Sequence, residues 1–326
     1  MSFLVGPLHS FLKSFDTNPH TKERVYILLL ASIQFIHIVD FVVMMPLGPY
    51  LMESINVTPD QFAELVSSYN FSAAAAGFLF ATVADRYDRK KLLLMTLMGF
   101  IVGTLFCSLS QSYLQLLSSR ILTGCFGGTL NAVVFAMVTD LVPYERRGKA
   151  MGMIMSAFSV ASVVGIPIGL GLADIWGWES TFLYIVGVGL VIFALSFKVF
   201  PSLRGHIHDV RPFESLKHYG KIITTPRYMF SHSFMFLVAT SMFLLIPFLS
   251  PYAVKNIGVA KESLKYMYLV GGAFTVMTAR LFGVWTDMWG ALKTFWIITL
   301  FAIVPVLLYT NAGPMRLFAF LAMSTL

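Results

Sequence analysis

Long apolar runs separated by short polar segments constrain this chain more than any other feature of its sequence. A helix that crosses the hydrocarbon layer of a membrane, about 30 Å thick, needs about 20 mostly apolar residues, because each residue rises about 1.5 Å. The pattern therefore predicts an all-α membrane protein. Nine complete spans are predicted, at approximately 25–50, 60–84, 92–110, 113–140, 149–172, 181–200, 227–252, 265–286 and 293–312.

The charges are few, and their distribution is uneven. Only 12% of the residues are charged, against roughly 25% in a typical soluble chain, and the formal net charge is +7. A basic balance also fits a nucleic-acid partner. With the N-terminus placed in the cytoplasm, however, seventeen Lys and Arg lie in predicted cytoplasmic segments and four in outside loops. This is the positive-inside distribution of a multi-pass protein of the cell membrane. It points to the lipid bilayer and its anionic headgroups as partners, and not to nucleic acid.

The longest polar segment divides the chain into two parts. The predicted regions are a cytoplasmic tail at 1–24, a six-helix bundle at 25–200, a cytoplasmic linker at 201–226 and an incomplete second bundle at 227–326. The second part repeats the first at an offset of 202 residues, since Gly283–Gly290 matches Ala81–Asp88. Part of a tenth span begins near Leu317, and the same repeat leads us to expect twelve spans in the complete protein.

Four motifs occur in order along the first part and on the expected sides of the membrane. Together they resemble the signatures of the major facilitator superfamily. Ala81–Lys91 resembles the family's Gly-x-x-x-Asp-Arg-x-Gly-Arg-Arg/Lys loop, and Arg120–Gly124 resembles its Arg-x-x-x-Gly motif. Pro143–Ala150 resembles the basic loop before the fifth span. Gly165–Gly171 resembles the glycine-proline motif of the family's antiporters, although Ile166 separates the glycine from the proline here.

This resemblance implies a monomeric two-bundle transporter that works by alternating access. Its closest match is the proton-coupled efflux branch, which implies export of a small molecule, such as a drug, a sugar or a metabolite, in exchange for protons. The energy would come from the proton gradient, without a cofactor. Two alternatives stay open: a proton-coupled or facilitative porter for nutrient uptake, and a membrane sensor that has lost transport.

Nothing in the sequence indicates an enzyme or a metal site. The motifs His-Glu-x-x-His, Gly-x-Ser-x-Gly and Gly-x-x-x-x-Gly-Lys-Ser/Thr are absent, so hydrolase and ATP-driven functions are not expected. Cys107 and Cys125 both lie inside apolar runs, where a thiol usually serves as a small buried hydrophobe. We therefore predict neither a disulfide nor a metal ligand at these positions.

Two of the charged residues within predicted spans are the first candidates for proton coupling. Asp40 lies in the first span and Arg120 in the fourth, where a charge is costly unless it is paired, hydrated or neutralised. Burial favours the protonated carboxylic acid and a nearby cation favours the carboxylate, so an aspartate balanced between the two can take up and release a proton. The resemblance implies that Arg120 competes with the proton for Asp40. The alternatives are a permanently paired carboxylate, and an arginine that reaches the interface or caps backbone carbonyls.

Two further polar residues are candidates for the central cavity. His37 lies three residues before Asp40, on the same helical face, and could relay a proton or contact substrate. Asn70 in the second span could line the same cavity. For both residues, ordinary polar packing between helices is the competing interpretation.

The resemblance implies that the loop after the second span forms a cytoplasmic gate. The predicted gate residues are Asp85, Arg86, Arg89 and Asp140 in the first part and Gly283, Asp287 and Gly290 in the second. Ala81 and Asp88 stand where the family usually has glycine, whereas the second copy keeps both glycines. This difference predicts a looser hairpin in the first copy. The alternative is that the arginines serve only as topological anchors.

Small residues in the fifth span predict a bend. Gly165, Pro167, Gly169 and Gly171 fall within seven residues. Proline removes a backbone hydrogen bond, and glycine lets helices approach closely. A kinked, tightly packed helix is therefore expected, and by resemblance it is an antiporter feature.

Overall fold

The computed structural model describes residues 19–81, 86–203 and 225–311. All regular structure in these residues is helical, which confirms the predicted all-α class. Residues 1–18 of the predicted tail, most of the predicted linker, Asp85 and the partial tenth span lie outside the described residues.

The described chain folds into twelve α-helices. They are α1 (Pro19–Val43), α2 (Gly48–Ser54), α3 (Pro59–Ala81), α4 (Arg89–Ser108), α5 (Tyr113–Leu141), α6 (Tyr144–Val160), α7 (Ile166–Trp176), α8 (Glu179–Val199), α9 (Pro226–Leu245), α10 (Leu249–Tyr252), α11 (Leu264–Trp289) and α12 (Ala291–Thr310). Short 3-10 turns lie at Ile246–Phe248 and Lys261–Ser263, and π turns lie at Ala161–Gly165 and Ala253–Ile257.

Eight helical stretches in the described residues are long and apolar enough to cross a membrane. They are Thr21–Val43, Arg89–Ser108, Tyr113–Leu141, Tyr144–Trp176, Glu179–Val199, Tyr228–Ile257, Lys261–Trp289 and Ala291–Thr310. Each overlaps a predicted span. The remaining predicted span, 60–84, corresponds to α3, which has 23 residues but is not one of the eight. Asp60, Glu64 and Asn70 place charged and polar side chains in α3, whereas a membrane-spanning helix is mostly apolar.

Glycines in α5 allow the close helix packing in the core of the first half. A Cβ added at Gly124 would lie 2.1 Å from Ser72 Oγ, and one at Gly128 would lie 2.2 Å from the Ala73 carbonyl oxygen. Both neighbours belong to α3, so α3 and α5 approach too closely for any larger residue. α5 also packs against α4. The polar interior described below is therefore enclosed by α1, α3, α4 and α5.

The helices that follow the two copies of the predicted gate motif begin differently. Asp88 has an ordinary backbone conformation (φ −57°, ψ 122°), and its carboxylate accepts a hydrogen bond from Lys90 N at 2.9 Å, which caps α4. Gly290 has φ +81° before α12, a conformation that favours glycine. Asp88 therefore replaces the family glycine with a side-chain cap.

The second half meets the first through α11 and α9. α11 packs against α7 and the π turn Ala161–Gly165, and a Cβ added at Gly272 would lie 3.1 Å from the backbone of Ser162. The rings of Phe41 in α1 and Phe243 in α9 are 6.0 Å apart. These contacts bring the halves together along the first and fifth predicted spans.

Candidate functional site

The centre of the first half holds an ion pair between α1 and α5. Arg120 Nη1 donates to Asp40 Oδ2 at 2.9 Å, and the two side chains are 1% and 0% exposed. Thr104 of α4 donates from Oγ1 to Asp40 Oδ1 at 3.2 Å. The Tyr69 ring of α3 lies 4.4 Å from the guanidinium carbon. The structure thus brings together the two residues singled out in the sequence, and we call them the interior pair.

The surroundings of the interior pair decide what can happen to its charges. An arginine in a protein does not release its proton, so Arg120 stays positive and needs the carboxylate or an aromatic face. Asp40 can become neutral by binding a proton. The Nε of Arg120 has no hydrogen-bond partner in the described residues. Of the two partners, only Asp40 can therefore lose its charge, by taking up a proton, and so end the ionic attraction of the pair.

A second polar group lies on the same face of α1. His37 stands between Tyr69 and Phe100, with ring centroids 6.3 and 6.0 Å away. Its Nδ1 is buried and has no hydrogen-bond partner among the described residues. One turn before it, Gln34 donates from Nε2 to Asn131 Oδ1 at 2.9 Å.

Sequence reasoning missed Gln34 and Asn131. The signal for Gln34 was its spacing, because residues 34, 37 and 40 share one face of α1. Asn131 carried no signal beyond being an amide inside a predicted span. The Nδ2 of Asn70 donates to the Val66 carbonyl of its own helix at 3.4 Å.

An ion pair joins two of the predicted gate residues. Arg89 Nε lies 3.1 Å from Asp140 Oδ2, and the side chains are 8% and 23% exposed. Arg86 is exposed, as is Asp287 in the second copy. A Cβ added at Gly283 would meet no atom within 4 Å, so close packing does not explain that glycine.

The helical form of the fifth span changes at its small residues. The α-helix α6 changes into a π turn at Ala161–Gly165 and continues as α7, with Pro167 in its first turn. Proline lacks the N–H that an unbroken α-helix would use, so the wider turn falls just before it. Added Cβ atoms would lie 2.3 Å from Val39 at Gly165 and 2.8 Å from Thr181 at Gly169. At Gly171 nothing lies within 4 Å, so only two of the three predicted glycines are closely packed.

Polar contacts join the two halves near the predicted outer face. Lys265 Nζ of α11 lies 2.7 Å from Asp174 Oδ2 of α7. Lys261 pairs with Glu53 of α2, and Tyr50 donates to Asp174. We call these five residues the outer seam. Sequence reasoning missed the seam, because Lys261 and Lys265 were counted only among the four basic residues of the predicted outside loops.

Tyr50 lies in α2, after the end of the membrane-spanning stretch Thr21–Val43, and its hydroxyl has a defined role in the seam. Burial and the adjacent Asp174 carboxylate raise the pKa of Tyr50. The hydroxyl therefore stays protonated and donates its hydrogen bond over the whole physiological range.

The described residues contain no group of three or more His, Cys, Asp or Glu side chains that could hold a metal ion. Cys107 and Cys125 are free thiols. The candidate site consists of the interior pair, its hydrogen-bond partners and the polar residues of α1.

Comparison with known proteins places this arrangement in a family. The model of the Major Facilitator Superfamily matches residues 30–326. The chain is 33% identical over 130 residues to Multidrug resistance protein 3 of Bacillus subtilis, which covers 40% of this chain and 25% of that protein. It is 34% identical over 133 residues to the vacuolar membrane amino acid uptake transporter fnx2 of Schizosaccharomyces pombe, which covers 41% and 23%. The alignments thus span about a quarter of each relative.

A solved structure shows the same fold. A bacterial homolog of the human lysosomal transporter Spinster, in an inward-facing and occupied conformation, matches with a TM-score of 0.69 at 17% identity. The match covers 93% of this chain and 71% of that one. Members of the family are transporters and not enzymes, and they generally need no cofactor. On the family match over residues 30–326, this chain belongs to the major facilitator superfamily of multi-pass membrane transporters.

Proposed function

We propose that the protein exports a small molecule in exchange for protons by alternating access. The observation that carries this proposal is the interior pair, because a fully buried aspartate at 2.9 Å from an arginine is a group on which a proton and a cation compete. The energy source is the proton gradient, and the protein works as a monomer with its N-terminus in the cytoplasm.

The proposed cycle follows from what each partner can do. When Asp40 binds a proton it no longer attracts Arg120, which then relies on the Tyr69 ring 4.4 Å away. When the proton leaves, the pair forms again. His37 and Gln34 lie one and two turns along the same face of α1, and we assign them to proton relay or substrate contact.

Alternating access also needs contacts between the halves that form and break. The outer seam is such a set, since it joins α2 and α7 of the first half to Lys261 and Lys265 of the second. We assign the opposite, cytoplasmic gate to Asp85, Arg86, Arg89 and Asp140, with Arg89 and Asp140 already paired within the first half. The two gates open in alternation, and the division into bundles at 25–200 and 227–326 supplies the moving parts.

Export is favoured over uptake by two observations. One relative is named a multidrug resistance protein, and the glycine-rich segment Gly165–Gly171 of the fifth span resembles the glycine-proline motif of the family's antiporters. The substrate is then a drug-like compound, a sugar or a metabolite. The uptake porter is the second candidate, because another relative is named an amino acid uptake transporter. A sensor without transport is the third.

The test uses inverted membrane vesicles that contain the full-length protein. The vesicle interior is made acidic, a fluorescent dye reports interior pH, and candidate compounds are added one at a time. For a substrate we expect loss of the interior acidity with the wild-type protein and with Asp60→Asn, a control at an exposed acidic residue. Asp40→Asn should show none.

Each other outcome points elsewhere. An equal response from Asp40→Asn would contradict the role of Asp40. A response to a compound only when the gradient is reversed would favour uptake. Binding of a compound without any proton movement would favour the sensor.

A further inference from the structure

A groove lies between α1 and α6 at their predicted cytoplasmic ends. It has a volume of about 420 Å³. Its polar rim consists of Arg24 and Glu23 from α1 together with Arg146 and Lys149 from α6. Residues from two helices therefore converge on one cavity, which a convex helix surface facing lipid does not provide. We call it the cytoplasmic groove.

The rim carries an excess of positive charge. Glu23 Oε2 pairs with Arg146 Nη2 at 2.9 Å, which neutralises one cation and holds it in place. Arg24 and Lys149 contribute two further positive charges, and both side chains are exposed. An anion with one or two negative charges is therefore the ligand that this rim attracts.

The deeper part of the groove is apolar. Leu28 follows Arg24 by four residues and Met153 follows Lys149 by four, so each lies about one helical turn, or about 5.4 Å, further into the membrane. Leu28 is 55% and Met153 is 40% exposed, while Ile27 is buried between them and the core. The groove thus changes from cationic to apolar along the membrane normal.

We propose that the cytoplasmic groove binds an anionic phospholipid of the inner leaflet. The phosphate lies at Arg24 and Lys149, and one acyl chain follows Leu28 and Met153. A free phosphate would use the rim but not the apolar part, and a zwitterionic lipid would use the apolar part but gain less from the rim. Both features together match a lipid whose headgroup keeps a net negative charge.

The first test measures lipid affinity of the purified full-length protein by native mass spectrometry during titration with phosphatidylglycerol. The variant Arg24→Gln/Lys149→Gln removes two rim charges. Its matched control, Lys91→Gln/Lys198→Gln, removes two exposed charges at the same predicted membrane face outside the groove. We expect the groove variant to bind the first phosphatidylglycerol roughly tenfold more weakly, because each basic residue near an anionic lipid adds a several-fold contribution. The control should change by less than about twofold. Equal losses in the two variants would overturn the proposal.

The second test needs only the wild-type protein, so it holds even if a variant fails to fold. Phosphatidylcholine should compete poorly for the bound phosphatidylglycerol, and glycerol 3-phosphate should not displace it. Displacement by glycerol 3-phosphate at similar concentration would show a site for free anions. Equal competition by phosphatidylcholine would show an apolar crevice without headgroup selectivity. Either result contradicts the proposal.

Discussion

The interior pair and the outer seam both consist of ion pairs, but they differ in their exposure to water. In the interior pair the side chains of Arg120 and Asp40 are 1% and 0% exposed. At the seam, Lys265 and Asp174 are 30% and 9% exposed, and Lys261 and Glu53 are 32% and 66% exposed. Removing one partner of a buried pair costs about 3–5 kcal/mol, whereas an exposed pair contributes about 0–1 kcal/mol.

This difference separates two tasks within one transporter. Contacts that cost about 1 kcal/mol or less to break can open and close thermally in every cycle. A buried pair cannot be broken at such low cost, so in the proposed cycle it separates only when a proton neutralises Asp40. The seam is thus suited to movement and the interior pair to coupling. The predictions below test this contrast, from the largest expected effect to the smallest.

The largest effect is expected from Asp40→Ala. This change leaves Arg120 charged and buried without its carboxylate, so the free energy of unfolding should fall by about 3–5 kcal/mol. The double variant Asp40→Ala/Arg120→Met removes both charges and should recover a large part of that loss. Unfolding is followed in detergent micelles by a helical signal. If the double variant loses as much stability as Asp40→Ala and Arg120→Met lose together, the charges do not interact as described.

A packing comparison should give the next largest effect. A Cβ at Gly128, inside the first half, would lie 2.2 Å from the Ala73 carbonyl oxygen, whereas one at Gly272, between the halves, would lie 3.1 Å from Ser162. We expect Gly128→Ala to cost about 1–3 kcal/mol of stability and Gly272→Ala to cost less. Gly171→Ala, with nothing within 4 Å, is the control, measured by the same unfolding experiment. Equal losses at Gly128 and Gly171 would contradict the close α3–α5 approach.

The seam should respond in conformation more than in stability. Lys265→Gln removes the partner of Asp174 and should favour opening of the outer side by up to about fivefold, the equivalent of about 1 kcal/mol. Opening is read from the labelling rate of a cysteine placed at Ser162, in a chain whose Cys107 and Cys125 are replaced by serine. Asp174→Asn should have the same effect. Unchanged labelling in both variants would remove the seam from the gating mechanism.

The smallest effect is expected at the outermost pair. Glu53 is 66% exposed, so Lys261→Gln should change unfolding by less than about 0.5 kcal/mol. Any effect on labelling at Ser162 should disappear at high salt, because exposed charges are screened. A loss comparable to that of Asp40→Ala would break the contrast between the two regions.

Sequence reasoning reached the parts of the fold that depend on local pattern. Apolar runs located the spans, because lipid demands length and apolarity of every spanning helix. Asp40 and Arg120 stood out because charge inside a span is rare and needs a partner. Pro167 indicated an interruption of the α-helical hydrogen bonds because proline lacks an N–H, although the π turn before it did not follow from the sequence.

Contacts between distant segments were beyond the sequence. Asp174 and Lys265 are 91 residues apart, and each looks like an ordinary polar residue at a span end until the halves are packed together. The hydrogen bond from Gln34 to Asn131 depends on the rotation of α1 against α5, which periodicity leaves open. Asp88 showed its capping role only once the backbone of the loop was known.

The central claim is that the interior pair separates when Asp40 takes up a proton. Infrared difference spectroscopy of the full-length protein tests it most directly, by comparing spectra before and after acidification and substrate addition. We predict that the wild-type protein and Asp60→Asn gain the carbonyl band of a buried, protonated carboxylic acid, and that Asp40→Asn lacks this band. A band of equal intensity in Asp40→Asn would show that the proton goes elsewhere and would contradict the account.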